Sequence, residues 1–182
     1  MSLTVFCLAP ATTAVALVDH VRTLGLRGGD LSVVYAQLSG SGRNAPLRTM
    51  LDTATTWLLG HGTASRPDIG TLVASGPLLA LLSGAYPGSF AAVLGAYGLS
   101  GVAASRYANG ITSGRILLAL HDSAGLTLGP ALRLLQDQGA TDIHSGVAPR
   151  PATNRAAATY AQPALPRQLQ VEHTAEPLAA PV

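Results

Sequence analysis

An uncharged stretch in the middle of the chain constrains the fold most. The thirty-seven residues from Ile69 to Ser105 contain no Asp, Glu, Lys or Arg, and a small residue recurs at every fourth position. Helical residues four apart lie on one face, and a face of Gly, Ala and Ser lets a second backbone approach closely. The pattern therefore predicts helices packed tightly against another surface. The recurring small residues are Gly76, Ala80, Gly84, Gly88, Ala92, Ala96, Ser100 and Ala104.

The turn signal Tyr86-Pro87-Gly88 lies near the middle of this stretch and predicts that it folds into a helical hairpin. A bare uncharged hairpin would expose a larger apolar patch than soluble monomers usually carry. We therefore expect the hairpin to be covered by other copies of the chain, in a homo-oligomer or larger protein assembly. The residues expected at this interface are Gly76, Ala80, Gly84, Gly88, Ala92 and Ala96.

Membrane contact is the alternative way to cover the hairpin. Each arm of roughly eighteen residues would be about 27 Å long as a helix, against a hydrocarbon core of about 30 Å. Pro77 interrupts the first arm, and Arg66 and Arg106 would lie on the same side of an inserted hairpin. The sequence is thus compatible with a re-entrant loop, whereas the short arms do not favour a full span.

The segments on either side of the stretch repeat one pattern of strand, helix and strand. Each helix ends at a glycine, Gly25 or Gly139, and an Asp then opens the following strand. Two such βαβ halves can interleave into a four-stranded sheet with two helices on one face, so we expect an α+β, ferredoxin-like fold. The predicted strands are about 3–9, 31–36, 115–120 and 141–147, and the predicted helices 12–25 and 127–138.

A helical insertion of about 40–114 separates the two halves. It is predicted to contain a polar loop at 39–44, a helix from Pro46 to Leu59, a break at Gly60-His61-Gly62 and then the hairpin. Residues 1–148 would form a single domain. The remaining residues, 149–182, are rich in Pro and Ala and have no apolar period, which is typical of a disordered tail.

The amino-acid composition indicates which kinds of partner and which cellular location to expect. Eight Arg and seven Asp precede Pro149, so this part of the chain is nearly neutral despite a pI near 9.0. No arginine cluster interleaves with aromatic residues, so we do not expect nucleic-acid binding. The single cysteine, Cys7, lies in an apolar run, so we expect its side chain to be buried. One cysteine cannot form an internal disulfide, and we therefore expect the protein in the reducing cytosol. Because Met1 to Leu8 carries no secretory pattern, a cytoplasmic location is expected, with membrane association as the alternative.

Three residues are candidates for ligand contact. His61 lies between two glycines that permit close approach, and His121 and Asp122 end a predicted strand, where loops often carry function. The structural alternatives are an ordinary loop histidine at 61 and a strand-end turn in which Asp122 caps a helix. The five histidines show no metal-ligand spacing, and no phosphate-binding loop is present. We expect no metal, no cofactor and no catalysis.

The segment Arg106 to Leu120 resembles the tyrosine, glycine, glycine, strand signature of the bacterial general stress and heat-induced stress protein family. The Gly76-Pro77 step in a hydrophobic middle and the closing segment Gly139 to Ile143 match the same order. The resemblance covers roughly residues 3–147 and implies a stress-related domain without known catalytic residues. Together with the residue patterns it favours a non-catalytic assembly protein that self-associates through the hairpin. A membrane-associated protein and a ligand-binding regulatory module are the alternatives.

Overall fold

In the computed structural model the described residues are 2–37, 45–85, 88–122 and 128–148. They form an α+β structure whose sheet has six strands in the order β3-β4-β2-β5-β1-β6, with every neighbouring pair antiparallel. The strands are β1 (Ser2–Ala9), β2 (Leu31–Ala36), β3 (His61–Arg66), β4 (Gly70–Ser75), β5 (Ile116–His121) and β6 (Thr141–Ala148). The helices are α1 (Ala11–Thr23), α2 (Ala45–Ala54), α3 (Leu78–Ala80) with a π-helical turn at Leu81–Ala85, α4 (Phe90–Ala96), α5 (Gly101–Thr112) and α6 (Leu128–Asp137).

Helices cover both faces of the sheet. Successive side chains of a strand point to opposite faces, and β1 is apolar on both: Phe6 packs towards α4 and α5, whereas Val5 packs towards α1. The first core joins the sheet to α3, α4 and α5 around Phe90 and Tyr107. The second core joins the opposite face to α1, α2 and α6. The structure therefore has three layers, with α1, α2 and α6 on one face of the sheet and α3, α4 and α5 on the other.

The four predicted strands and their helices agree with the structure to within a few residues. The largest difference is in the uncharged stretch, because its first part, Gly70–Ser75, is strand β4 rather than a helical arm. It pairs with β3, which begins at His61 where a break was predicted, and β2 pairs with its other edge. Thr71, Leu72 and Val73 favour a strand, and Pro67 to Ile69 supply the turn between β3 and β4. The prediction of a helical hairpin over the whole stretch is therefore wrong.

The second part of the stretch is helical. After Gly76 and Pro77 the chain forms α3, the π-helical turn, α4 and the start of α5, and Ser89 and Ser100 cap the last two helices through their hydroxyl oxygens. The turn predicted at Tyr86-Pro87 lies outside the described residues. The same holds for the loop predicted at 39–44 and for the tail at 149–182.

Candidate functional site

His121 lies at the end of β5, in a buried hydrogen-bond network that crosses three neighbouring strands. Its Nδ1 is 3.2 Å from the hydroxyl of Thr4 on β1, and its Nε2 is 2.8 Å from the hydroxyl of Ser32 on β2. Thr4 and Ser32 have no exposed surface, and His121 is also buried. The imidazole thus connects the strands on both sides of β5 through side chains on the face covered by α3, α4 and α5.

The network also reaches the helical layer. The backbone N–H of Leu78, the first residue of α3, donates a hydrogen bond to Ser32 Oγ at 3.0 Å. Gly76 allows this approach, because a Cβ at that position would lie 2.1 Å from the carbonyl oxygen of Leu31. Gly76 is therefore an internal contact, although the sequence placed it among the interface residues.

Burial keeps the imidazole of His121 neutral near pH 7. Removal from water lowers the pKa of His121 to about 4, and the nearby Asp30 carboxylate opposes part of that shift. Asp30 is itself buried, and its side chain accepts the backbone N–H of Arg27 at 2.7 Å. A serine hydroxyl 2.8 Å from an imidazole has the spacing of a nucleophile and its base. Because Ser32 is fully buried, however, a substrate cannot reach it.

The three ligand candidates do not form one site. His61 is exposed on β3, its Nδ1 lies 2.8 Å from Ser75 Oγ, and the strand pairing puts both on the face that carries α1. His121 points to the opposite face, and two strands separate β3 from β5. Asp122 is half-buried beside His121, and its backbone N–H donates to the carbonyl of Leu3 at 2.8 Å. Residues 123–127, where Asp122 was predicted to cap a helix, lie outside the described residues.

A second polar cluster surrounds Tyr107, which the sequence placed in the family-like signature without assigning it a partner. The fully buried Tyr107 hydroxyl contacts the carbonyl oxygens of Phe6 and Asp142 and lies 3.1 Å from His144 Nδ1. Gly110, one turn later, packs its backbone on the side chain of Leu8. The signature residues therefore fix α5 to the neighbouring strands β1 and β6.

A β-bulge lies beside these carbonyl groups. The register between β1 and β6 shifts between Phe6 and Leu8, so that Asp142 and Ile143 together lie opposite Cys7. Asp142 has φ +51°, a conformation that few residues other than glycine adopt. Its carboxylate pairs with Arg115 at 3.7 Å, and Arg115 also donates to the hydroxyl of Thr141. The bulge is thus supported from inside by Tyr107 and from outside by Arg115.

Burial keeps Tyr107 and Cys7 in their protonated forms. Burial raises the pKa of the Tyr107 hydroxyl well above its ordinary value, with smaller contributions from Cys7 and the Asp142 carboxylate. Burial likewise raises the pKa of Cys7 to about 12, although Arg115 opposes it. His144 Nδ1 lies 3.1 Å from the carbonyl oxygen of Asp142, which can only accept, so we assign its proton to Nδ1. Cys7 and Tyr107 are thus protonated at neutral pH and unsuited to act as nucleophile or base.

The tip of the β3–β4 hairpin binds the segment around the π-helical turn. The guanidinium of Arg66 donates to the carbonyl oxygens of Leu81 and Leu82 at 2.9 and 2.7 Å and to that of Gly88 at 3.2 Å. The carboxylate of Asp68 accepts the backbone N–H of Phe90, at the start of α4, at 2.8 and 2.9 Å. Arg66 is buried, and in this structure its guanidinium binds main-chain carbonyl groups of the protein itself.

Most of the predicted interface residues reach solvent on the helical layer formed by α3, the π-helical turn and α4. Ala80, Gly84, Gly88 and Ala92 are exposed, Ala96 is half-buried, and only Gly76 is fully inside. Gly95, also exposed on α4, extends this set. We call Ala80, Gly84, Gly88, Ala92 and Gly95 the small-residue surface.

Among the described residues, no helix is both long and apolar enough to cross a bilayer. No group of three or more His, Cys, Asp or Glu side chains among them is arranged to hold a metal ion.

Comparison with family models, with curated proteins and with solved structures gives no match to this chain.

Proposed function

We propose that this protein is a non-catalytic assembly protein that self-associates through the small-residue surface. The observation that carries the proposal is the position of two glycines, Gly84 and Gly95. Both lie within helical segments without a positive φ, and a Cβ at either position would have no neighbour within 4 Å among the described residues. Glycine in a helix costs roughly 0.5–1 kcal/mol relative to alanine, and packing against the described part of the chain does not require it at either position. Close approach of a second backbone supplies a reason for both.

The charge distribution supports the same conclusion. No charged residue occurs between Ile69 and Ser105, and the nearest preceding charges, Arg66 and Asp68, bind main-chain groups of the protein itself. A partner that covers the small-residue surface therefore does not have to remove a charged side chain of this stretch from water. A second copy of the chain is the simplest partner, because most soluble oligomers are built from identical chains.

We also propose that four of the six strands form a ferredoxin-like core. β1 and β2 both run antiparallel to β5, and β5 and β6 both run antiparallel to β1. The two strand-helix-strand units would thus interleave in the order β6-β1-β5-β2, as in a ferredoxin-like core. β3 and β4, together with α3 and α4, would be additions between the halves. We propose a relationship to the general stress protein family as well, on the basis of the signature around Tyr107.

Light scattering of the full chain without detergent tests the self-association. We expect a defined multimer, which Ala92→Arg should convert to smaller species because it buries a charge in the contact. Ala16→Arg is the matched control, since Ala16 is an exposed alanine on α1, on the other side of the sheet, and should leave the mass unchanged. A monomeric wild-type protein, or an Ala92→Arg variant with wild-type mass, would refute the proposal.

The Gly95→Ala substitution distinguishes an effect on self-association from an effect on the stability of the subunit. The added methyl group should raise the free energy of unfolding of the isolated subunit by roughly 0.5–1 kcal/mol while weakening self-association. The wild-type protein could instead float with lipid vesicles and be recovered only in the membrane fraction. This result would favour membrane association over self-association.

A further inference from the structure

An open groove lies between α1 and α2, on the face of the sheet opposite the small-residue surface. Its volume is about 550 Å³, which is within the range of small-molecule sites. Its walls combine polar and apolar side chains from both helices. Its lining includes Val15, Asp19 and Arg22 of α1 and Met50, Thr53 and Ala54 of α2.

Two opposite charges lie on one wall of this groove. Asp19 and Arg22 are exposed and three residues apart on α1, a spacing that puts their side chains on the same side of the helix. Within the described part of the chain, Asp19 and Arg22 do not form an ion pair with each other. Both charges are therefore open to a ligand in the groove.

The other wall is mainly apolar. Met50 is 54% exposed although its neighbour Leu51 is buried in the core, and Ala54 continues this wall one turn later. A thioether side chain is flexible and adapts its shape to an apolar partner. The groove thus presents a carboxylate, a guanidinium and an apolar surface within the length of about two helical turns.

We propose that this groove binds a free α-amino acid with an apolar side chain. An α-amino acid carries its ammonium and its carboxylate on one carbon, so the two charges can face Asp19 and Arg22 at the same time. The guanidinium can hold the carboxylate with two hydrogen bonds, and the apolar side chain then lies against Met50 and Val15. A ligand with only one charge would leave one of the two wall residues unmatched.

Calorimetric titration of the full chain with L-leucine, L-methionine and L-phenylalanine tests this proposal. We expect saturable binding of at least one of them, and at least about fivefold weaker binding for Asp19→Asn and for Arg22→Gln. Arg133→Gln and Asp137→Asn are the matched controls, because these residues are an exposed pair of the same charges on α6 and should leave the affinity unchanged. Circular dichroism of each variant checks that it is folded.

N-acetyl-L-leucine amide provides the chemical control, because it keeps the side chain of leucine and lacks both charges. Binding of this compound as tight as that of leucine would overturn the assignment to Asp19 and Arg22. The absence of saturable binding for all three amino acids up to about 10 mM would overturn the site itself. The mass by light scattering is measured on the same sample, so loss of self-association and loss of ligand binding are distinguished.

Discussion

The hydroxyl of Tyr107 on α5 lies 3.1 Å from the carbonyl oxygen of Phe6 on β1, although 101 residues separate the two in sequence. The contact occurs where the β1–β6 ladder is interrupted by the bulge at Asp142. It therefore gives a side-chain partner to a main-chain carbonyl group beside this irregularity. This single side chain connects the beginning of the chain, the second half of its middle segment and its last strand.

Tyr107→Phe should destabilise the fold by about 1–3 kcal/mol, because it removes a buried hydroxyl group that contacts the carbonyl oxygens of Phe6 and Asp142. Urea unfolding followed by circular dichroism measures the change. Tyr35→Phe is a suitable comparison, since the Tyr35 hydroxyl donates to the exposed carboxylate of Asp52, which water can solvate after the substitution. A Tyr107→Phe variant as stable as the wild type would show that the bulge does not depend on this hydroxyl.

Gly110→Ala should cost about 1–3 kcal/mol through overpacking. A Cβ at this position would lie 2.4 Å from Cδ1 of Leu8, so the Leu8 side chain, which is only 1% exposed, would have to shift within the packed core. Thermal unfolding at low protein concentration is the measurement. Gly95→Ala is the control for a helical glycine with open space around it and is expected to raise the unfolding temperature. If the two substitutions have the same effect, close packing at Gly110 is not the reason for its glycine.

The stability of the fold should fall as the pH is lowered from about 6.5 to about 4, because of His121. The unfolded chain binds a proton on this imidazole near its ordinary pKa of 6.5, whereas burial lowers the pKa in the folded chain to about 4. The folded state thus loses about 1.4 kcal/mol per pH unit across this window, on the order of 3 kcal/mol in all.

His121→Gln tests this pH dependence, since glutamine retains hydrogen-bonding groups and does not titrate. The free energy of unfolding is measured at several pH values by chemical denaturation. We expect the difference between wild type and variant to shrink steadily as the pH falls to 4. Curves that stay parallel between pH 6.5 and pH 4 would contradict the assignment.

Arg66→Met should loosen the helical layer locally. It removes hydrogen bonds to the carbonyls of Leu81, Leu82 and Gly88 and should cost about 2–4 kcal/mol. Hydrogen exchange is expected to speed up in α3 and α4 before it does in β1 and β5. Arg22→Met, an exposed arginine on α1, is the control and should change exchange little. Uniform acceleration in both layers would show that Arg66 does not act locally.

The sequence predicted the parts of the fold whose pattern is local. Alternating or continuous apolar runs predicted β1, β2, β5 and β6, and helical spacing with terminal glycines predicted α1 and α6. It missed β3 and β4 because a run such as Thr71 to Ser75 is short and apolar, so its periodicity does not distinguish a strand from a helix. The small-residue repeat that begins directly after it, at Gly76, then favoured the wrong alternative.

The candidate sites were predictable to a smaller extent. His121 was identified from its position at a strand end, but its partners Thr4 and Ser32 depend on the order of strands in the sheet. Tyr107 was quoted in a signature, whereas its contact with Asp142 depends on a bulge that one sequence does not reveal. Long-range pairing of this kind is set by tertiary packing and has no local signal.

The position of β4 has a practical consequence for protein engineering. This strand is hydrogen-bonded on one side to β2 and on the other to β3, so it is an internal strand of the sheet. The uncharged stretch that begins with it cannot be excised, or transplanted to another scaffold, without exposing the edge of β2. A graft intended to confer the properties of this stretch would have to carry the sheet with it.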